Sequence, residues 1–227
     1  MTGLVLKRLG HTVRILELSP TPLLQTQGAG IVFGSQSQEY FSKFIKTKRK
    51  FPVSSFLRQT LNKHGESIPE HEERYEQKMV SWDLVYFVLR WEFDGYANEY
   101  VDTDEIVSVE HEGKAMYEYG CRAVDVRDKG EKVELEFEDR NGNIEKVEAD
   151  MVIGADGPSS TIRRILMPEV ERKYAGYVAW RGTVLESDAS KELRDTFVDH
   201  FTFFHDHRKG IQILTFVFSV IQANLAN

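Results

Sequence analysis

The sequence predicts a mixed α/β fold with a large antiparallel component, and three observations carry that prediction. A short amphipathic segment over residues 2–9 stops at Gly10, and the β-branched run Thr12-Val13-Arg14-Ile15-Leu16 follows and ends on Glu17. Residues 133–149 alternate apolar and charged positions about Asn141-Gly142, a dipeptide suited to a tight hairpin turn. Met151-Val152-Ile153 is apolar without alternation and is bounded by Gly154, as expected of a strand buried on both faces.

Ser19-Pro20-Thr21-Pro22 breaks the pattern after the first strand, and Gly28-Ala29-Gly30 forms a flexible loop before the apolar Ile31-Val32-Phe33. A helix is predicted over 36–46. Two short strand-like runs between 56 and 68 flank His64-Gly65 and read as a hairpin, whereas 69–78 is mostly charge. Ser81 is a good N-cap for a helix over 82–91, with Asp83 in its first turn and Leu84, Val85, Val88 and Leu89 at helical spacing. Beyond Tyr100 the pattern turns to strands and a β-meander, which leads into the run at 151–157. Ser159 or Ser160 then caps a helix through Leu166 that carries Arg163 and Arg164. Residues 174–185 and 197–218 read as further strands, separated by a short helix over 189–195.

Composition narrows the function classes. With 227 residues the chain is one large domain or two small ones, and 41% apolar and 29% charged residues are ordinary for a folded protein. A net charge of −7 argues against a nucleic-acid binder held by phosphate contacts. The basic run Lys46-Thr47-Lys48-Arg49-Lys50 reads as a solvated loop, with a targeting or phosphate patch as the alternative. The single cysteine, Cys121, cannot form an internal disulfide and suits a reducing compartment, so a cytoplasmic protein is expected. The longest apolar stretch, 213–221, is about half the length needed to cross a bilayer, and the N-terminus lacks the regions of a signal peptide.

The chemistry candidates are few. An acid at the end of a strand that follows a helix is where a dinucleotide-binding unit places its ribose ligand, which makes Glu17 a candidate; an ordinary surface acid is the alternative. Gly154-Ala155-Asp156-Gly157, followed by Ser159, Ser160 and Arg163, resembles a nucleotide-facing turn, although Asp156 serves equally well as a helix cap. His205 and His207 share one face of a strand, but no third ligand stands at a diagnostic spacing, so no metal is expected. Cys121 has no local partner that marks it as a nucleophile and reads as a buried thiol.

In this order the pieces resemble the FAD-dependent aromatic hydroxylases, the single-component flavoprotein monooxygenases. Residues 4–17 look like the first helix and second strand of the FAD domain, and Gly28-Ala29-Gly30-Ile31 like its glycine loop by the flavin. Residues 81–90 look like its next helix. The stretch Ala149-Asp150-Met151-Val152-Ile153-Gly154-Ala155-Asp156-Gly157-Pro158-Ser159-Ser160-Thr161-Ile162-Arg163 is similar to the family's Asp-Gly motif. Tyr174-Ala175-Gly176-Tyr177-Val178-Ala179-Trp180-Arg181-Gly182 looks most like the 2,6-dihydroxypyridine 3-monooxygenase branch. Ser81 stands where many relatives have an arginine that contacts the cofactor.

The resemblance implies an incomplete Rossmann-like FAD-binding domain with a β-meander, over 1–50 and 82–172, and part of an antiparallel substrate-domain sheet over 51–81 and 173–227. It implies a chain truncated at both ends, without the glycine-rich first turn and the later Gly-Asp motif, and with a tail from Phe216 onward unlike the family. Function follows as an implication: NAD(P)H reduces bound FAD, and one atom of dioxygen enters an electron-rich aromatic or N-heterocyclic ring, such as a phenol or dihydroxypyridine, as hydroxyl. In that reading Glu17 binds the adenosine ribose, the backbone near Ala123 meets the adenine, and Gly28 and Gly30 border the flavin. Asp156 and Gly157 lie along the FAD, Arg163 is a candidate for a phosphate, and no catalytic side chain is assigned. The alternative is an inactive fragment that acts at most as an interaction module.

Overall fold

A computed structural model describes residues 1–22, 29–47, 52–101 and 111–218. The fold is mixed α/β, with three sheets and five helices among the described residues. Helix α1 (Thr2–Arg8) carries Lys7 and Arg8 in its last turn, where cations suit the helix dipole, and Gly10 ends it at a φ of +91°. Strand β1 (Val13–Glu17) follows. It pairs in parallel with β5 (Ala115–Tyr119), with Glu17 opposite Tyr119.

The largest sheet has five strands in the order β10-β9-β3-β4-β2. It comprises β2 (Gly30–Val32), β3 (Val53–Leu61), β4 (Glu73–Ser81), β9 (His200–Asp206) and β10 (Ile211–Thr215). All its pairings are antiparallel except that of β3 with β9. The expected hairpin about His64-Gly65 is formed only in short, by the antiparallel bridge of Leu61 with Ser67 and the bonds of Asn62 N to Glu66 O and Ile68 N to Thr60 O, and the long partner of β3 is the charged segment that follows. That segment can be a strand because its charges are concentrated in its exposed first half, while Met79, Val80 and Ser81 at its end are buried.

Helix α2 (Ser35–Phe44) and helix α3 (Trp82–Asp94) cover the Val80 face of this sheet. Phe33, Phe41, Val80, Leu84, Phe87, Val88, Tyr100 and Val101 form the core between them. Each such side chain contributes about 1.5–3 kcal/mol on burial. Ser81 caps α3, its Oγ accepting from the Leu84 amide at 3.2 Å, and Gly95 closes the helix in the left-handed conformation at φ +70°.

A three-stranded meander, β6 (Arg122–Asp128), β7 (Val133–Glu138) and β8 (Ile144–Ala149), is antiparallel throughout, as expected. Its Phe137 is buried and lies under the Arg14 guanidinium of β1 at 5.0 Å, which seats the meander against the parallel pair. Helix α4 (Thr161–Leu166) packs on β6, and α5 (Lys191–Phe197) packs on β9.

Two expected strands are not formed. Residues 151–157 form no ladder, with Met151 and Ile153 more than half exposed, and 174–185 likewise forms none and leaves Trp180 91% exposed. The physical reason is common to both: among the described residues no strand lies beside either segment, and an apolar run without a neighbour has nothing to pair with.

Candidate functional site

Glu17 stands at the C-terminal end of a parallel strand, half-buried. Its Oε1 accepts from the Ser19 amide at 2.8 Å, which fixes the side chain across its own turn, and Oε2 has no hydrogen-bond partner among the described residues. Its carbonyl accepts from the Cys121 amide at 2.9 Å, and Ser19 O accepts from Gly120 N at 2.8 Å. These bonds set the start of β6, the strand that carries Ala123, beside the end of β1. Gly120 makes the turn at a φ of +72°, where a side chain would be strained.

The Asp156 turn joins this region through α4, which packs on β6. Its carboxylate accepts from Ser160 Oγ, from the Thr161 amide at 2.7 Å and from the Ile162 amide at 3.1 Å. Burial works against the charge, but these bonds outweigh it and hold the carboxyl below its ordinary range. Asp156 is therefore engaged as a helix cap, and Ser160 rather than Ser159 is the N-cap proper, its Oγ accepting from Arg163 N at 2.9 Å. Gly157 adopts φ +74° and Gly154 packs closely under Ile162. The Arg163 guanidinium folds back to donate to the carbonyls of Gly157, at 3.3 Å, and Pro158, at 2.5 Å.

Gly30 lies apart, on β2 in the five-stranded sheet, opposite Ser81. A Cβ there would collide with the Phe216 ring and come within 2.5 Å of Phe218. Phe216 in turn stacks on Phe201 at 5.5 Å and 13°. Gly28 falls outside the described residues, as do Lys48, Arg49 and Lys50 of the basic run. His205 and His207 stack at 5.9 Å on the exposed end of the same sheet, and no group of metal-ligating side chains is found among the described residues. Cys121 is buried, as expected, and burial pushes its thiol pKa up. An open cleft of about 270 Å³ lies between Leu61, Phe197, Phe204 and Ile213, away from Glu17.

One cluster was not singled out from the sequence. Arg90 is buried between the phenol rings of Tyr96 and Tyr117, 4.6 and 3.8 Å from their centroids, and donates to the hydroxyls of Tyr86 and Tyr119 and to Asp94. The available signal was Tyr86, Arg90 and Asp94 at successive steps of four on one helix.

Comparison with known proteins bears on this arrangement. The FAD binding domain-like family matches residues 174–226. The chain is 28% identical over 201 residues to 2,6-dihydroxypyridine 3-monooxygenase of Paenarthrobacter nicotinovorans, covering 88% of this chain and 44% of the relative. The structure of 2,6-dihydroxypyridine-3-hydroxylase from Arthrobacter nicotinovorans superposes with a TM-score of 0.73 at 24% identity, over 97% of this chain and 49% of that one. The chain is thus similar in sequence to one dihydroxypyridine monooxygenase and shares the fold of a dihydroxypyridine hydroxylase. It spans about half the length of these relatives. The p-nitrophenol 4-monooxygenase of Pseudomonas putida shares the fold more distantly, at a TM-score of 0.50 and 14% identity over 73% of this chain and 40% of that one. Because the family match runs to residue 226, the expectation that the tail from Phe216 departs from the family is corrected.

The family's cofactor can be tested against these residues. At the adenosine end they fit: Glu17 offers a carboxylate oxygen without a partner among the described residues, at a strand end beside the start of β6. At Gly30, the expected neighbour of the ring, they do not, because Phe216 and Phe218 already occupy the space over that glycine. Among the described residues no helix is long and apolar enough to cross a membrane.

Proposed function

We propose that this chain is the nucleotide-holding and ring-facing portion of a monooxygenase that uses FAD, NAD(P)H and dioxygen to hydroxylate an electron-rich aromatic or N-heterocyclic ring, of the dihydroxypyridine or phenol class. The observation that carries the reading is the half-buried carboxylate of Glu17 at the end of a parallel strand whose last backbone carbonyl accepts from the Cys121 amide, beside the strand bearing Ala123. A carboxylate there can accept from both ribose hydroxyls. In this proposal Glu17 and Ala123 meet the adenosine, Gly28 and Gly30 border the flavin, and Asp156, Gly157 and Arg163 shape the turn along the cofactor. The nucleotide unit comprises 1–50 and 82–172 and the substrate sheet 51–81 and 173–227, with β2 the strand that joins the first to the second.

The test is titration of the purified chain with FAD, followed by flavin absorbance and fluorescence. Saturable binding that weakens at least about tenfold in Glu17→Gln is expected, since a bond to a charged group is worth roughly 1.5–3 kcal/mol. Absence of saturable binding overturns the reading.

A second reading, an interaction module without activity, draws on the exposure of Tyr174, Tyr177 and Trp180, which are 76%, 72% and 91% accessible. Size-exclusion chromatography with mass detection separates the two: self-association or a stable complex favours the second, and a compact monomer counts against it.

A further inference from the structure

The aromatic pair over Gly30 is an intramolecular occupant. Phe216 and Phe218 follow directly on β10, at one edge of the five-stranded sheet, yet they reach Gly30 on β2, the strand at the other edge. The Phe216 ring meets Gly30 and also stacks near-parallel on the buried Phe201, and Phe218 packs against Phe216 at 6.2 Å. A flat ring is thus held in a slot made by one glycine and one aromatic face. Offset stacking and apolar burial favour any planar ring in such a slot, whether it belongs to the chain or to a ligand.

We propose that residues 216–218 compete with a planar heteroaromatic ligand for this slot, so that ring entry requires Phe216 to swing out. The ligand class named rests on the reading of Gly30 as a flavin neighbour; the occupancy itself rests on the packing alone. Displacing a half-buried phenyl ring weakens apparent binding by about tenfold, because only the fraction of chains with the slot open is competent.

Two measurements decide it. The first is a double-mutant cycle in urea unfolding with Gly30→Ala and the pair Phe216→Ala and Phe218→Ala. Gly30→Ala is expected to destabilise the intact chain and to cost little in the double-alanine background, because its methyl group then meets open space. Equal costs in both backgrounds show that Phe216 is not on Gly30 in solution and overturn the proposal without reference to flavin. The second is FAD titration of the intact chain and of the double-alanine chain, with circular dichroism to confirm that both are folded. Tighter FAD binding by about tenfold or more in the double-alanine chain is expected. Equal affinities, with a perturbed flavin spectrum in both, overturn the competition and leave the flavin reading standing. Failure of both chains to bind FAD overturns the competition together with the flavin reading.

Discussion

Arg90 donates to the hydroxyl of Tyr119, and through that bond helix α3 holds the strand whose last residue is the register partner of Glu17. The same guanidinium makes a two-point pair with Asp94, at 2.6 and 3.2 Å, and Tyr86 and Tyr119 share a hydroxyl contact at 2.6 Å. Burial opposes the charge on Arg90, but the bonds to Asp94 and Tyr86 outweigh it and keep the group protonated. The cluster therefore acts as a cross-brace between α3 and β5, behind the strand end that presents Glu17.

Removing the cation is expected to be costly. Arg90→Met leaves Asp94 without its cation in a buried setting and the Tyr86–Tyr119 pair without the guanidinium donor, and the loss of one member of such an ion pair typically costs about 3–5 kcal/mol. Urea unfolding should show a lowered midpoint, with Asp94→Asn smaller in effect because the tyrosine contacts survive. A cost for Arg90→Met below about 1 kcal/mol would show that the brace carries no stability.

The Asp156 turn gives a pH prediction with a definite sign. Its carboxyl is held below the usual carboxylate range, so the unfolded chain binds the proton more readily than the folded one. The stability it contributes is fully present above the ordinary aspartate value and is lost as pH falls through the lowered folded value. Asp156→Ala should cost about 1 kcal/mol at neutral pH, the usual worth of a helix cap, and that difference should shrink under acid conditions. Protection of the Thr161 and Ile162 amides from hydrogen exchange reports it directly; unchanged protection in the variant would show that Ser160 alone holds the helix start.

How much of this was legible beforehand depended on whether local patterning or a neighbouring strand decides the structure. Ser81 and Gly95 bracket a helix whose apolar spacing is self-sufficient, and the meander about Asn141-Gly142 is fixed by alternation and its turn. Residues 151–157 and 174–185 have strand-like sequences, yet a strand exists only where a partner accepts its hydrogen bonds, and none is described beside them. For the candidate site, Glu17 could be placed at a strand end from periodicity, and the alternatives at Asp156 could be named. That Phe216 would lie on Gly30 could not, because the contact joins residues 186 positions apart across a sheet whose order no local pattern encodes. The Arg90 cluster was half visible: the steps of four from Tyr86 to Asp94 lie on one helix, but Tyr117 and Tyr119 arrive from a strand far along the chain.

Ser81 offers a separation of roles. It is buried, and its Oγ caps α3 at the Leu84 amide. Ser81→Ala should cost about 1 kcal/mol in thermal or urea unfolding, while Ser81→Asp, which keeps the acceptor at a helix N-terminus, should cost less. Ser81→Arg, which installs the side chain many relatives are expected to carry, should destabilise more than alanine, because a guanidinium must be desolvated at a buried position. A stabilised Ser81→Arg would instead show that an acceptor is in reach and would revive the expected cofactor contact at this position.

Cys121 supplies a probe of the Glu17 strand end without altering it. Its thiol is buried, and burial, with the Glu118 carboxylate as a lesser cause, pushes its pKa above the ordinary range, so little thiolate is present at neutral pH. Its backbone amide is the donor that holds Glu17 O, which means that exposing the thiol requires the 119–122 turn to lift from the end of β1. Labelling by a chromogenic disulfide reagent at pH 8 should therefore be at least about a hundredfold slower in the folded chain than in urea, since the reactive form appears only through local opening. If a nucleotide binds at Glu17, it should slow labelling further, because it stabilises the closed turn. Fast labelling of the folded chain, unaffected by FAD or ADP, would show that the turn is open in solution and would remove the support for Glu17 as a preformed ribose ligand.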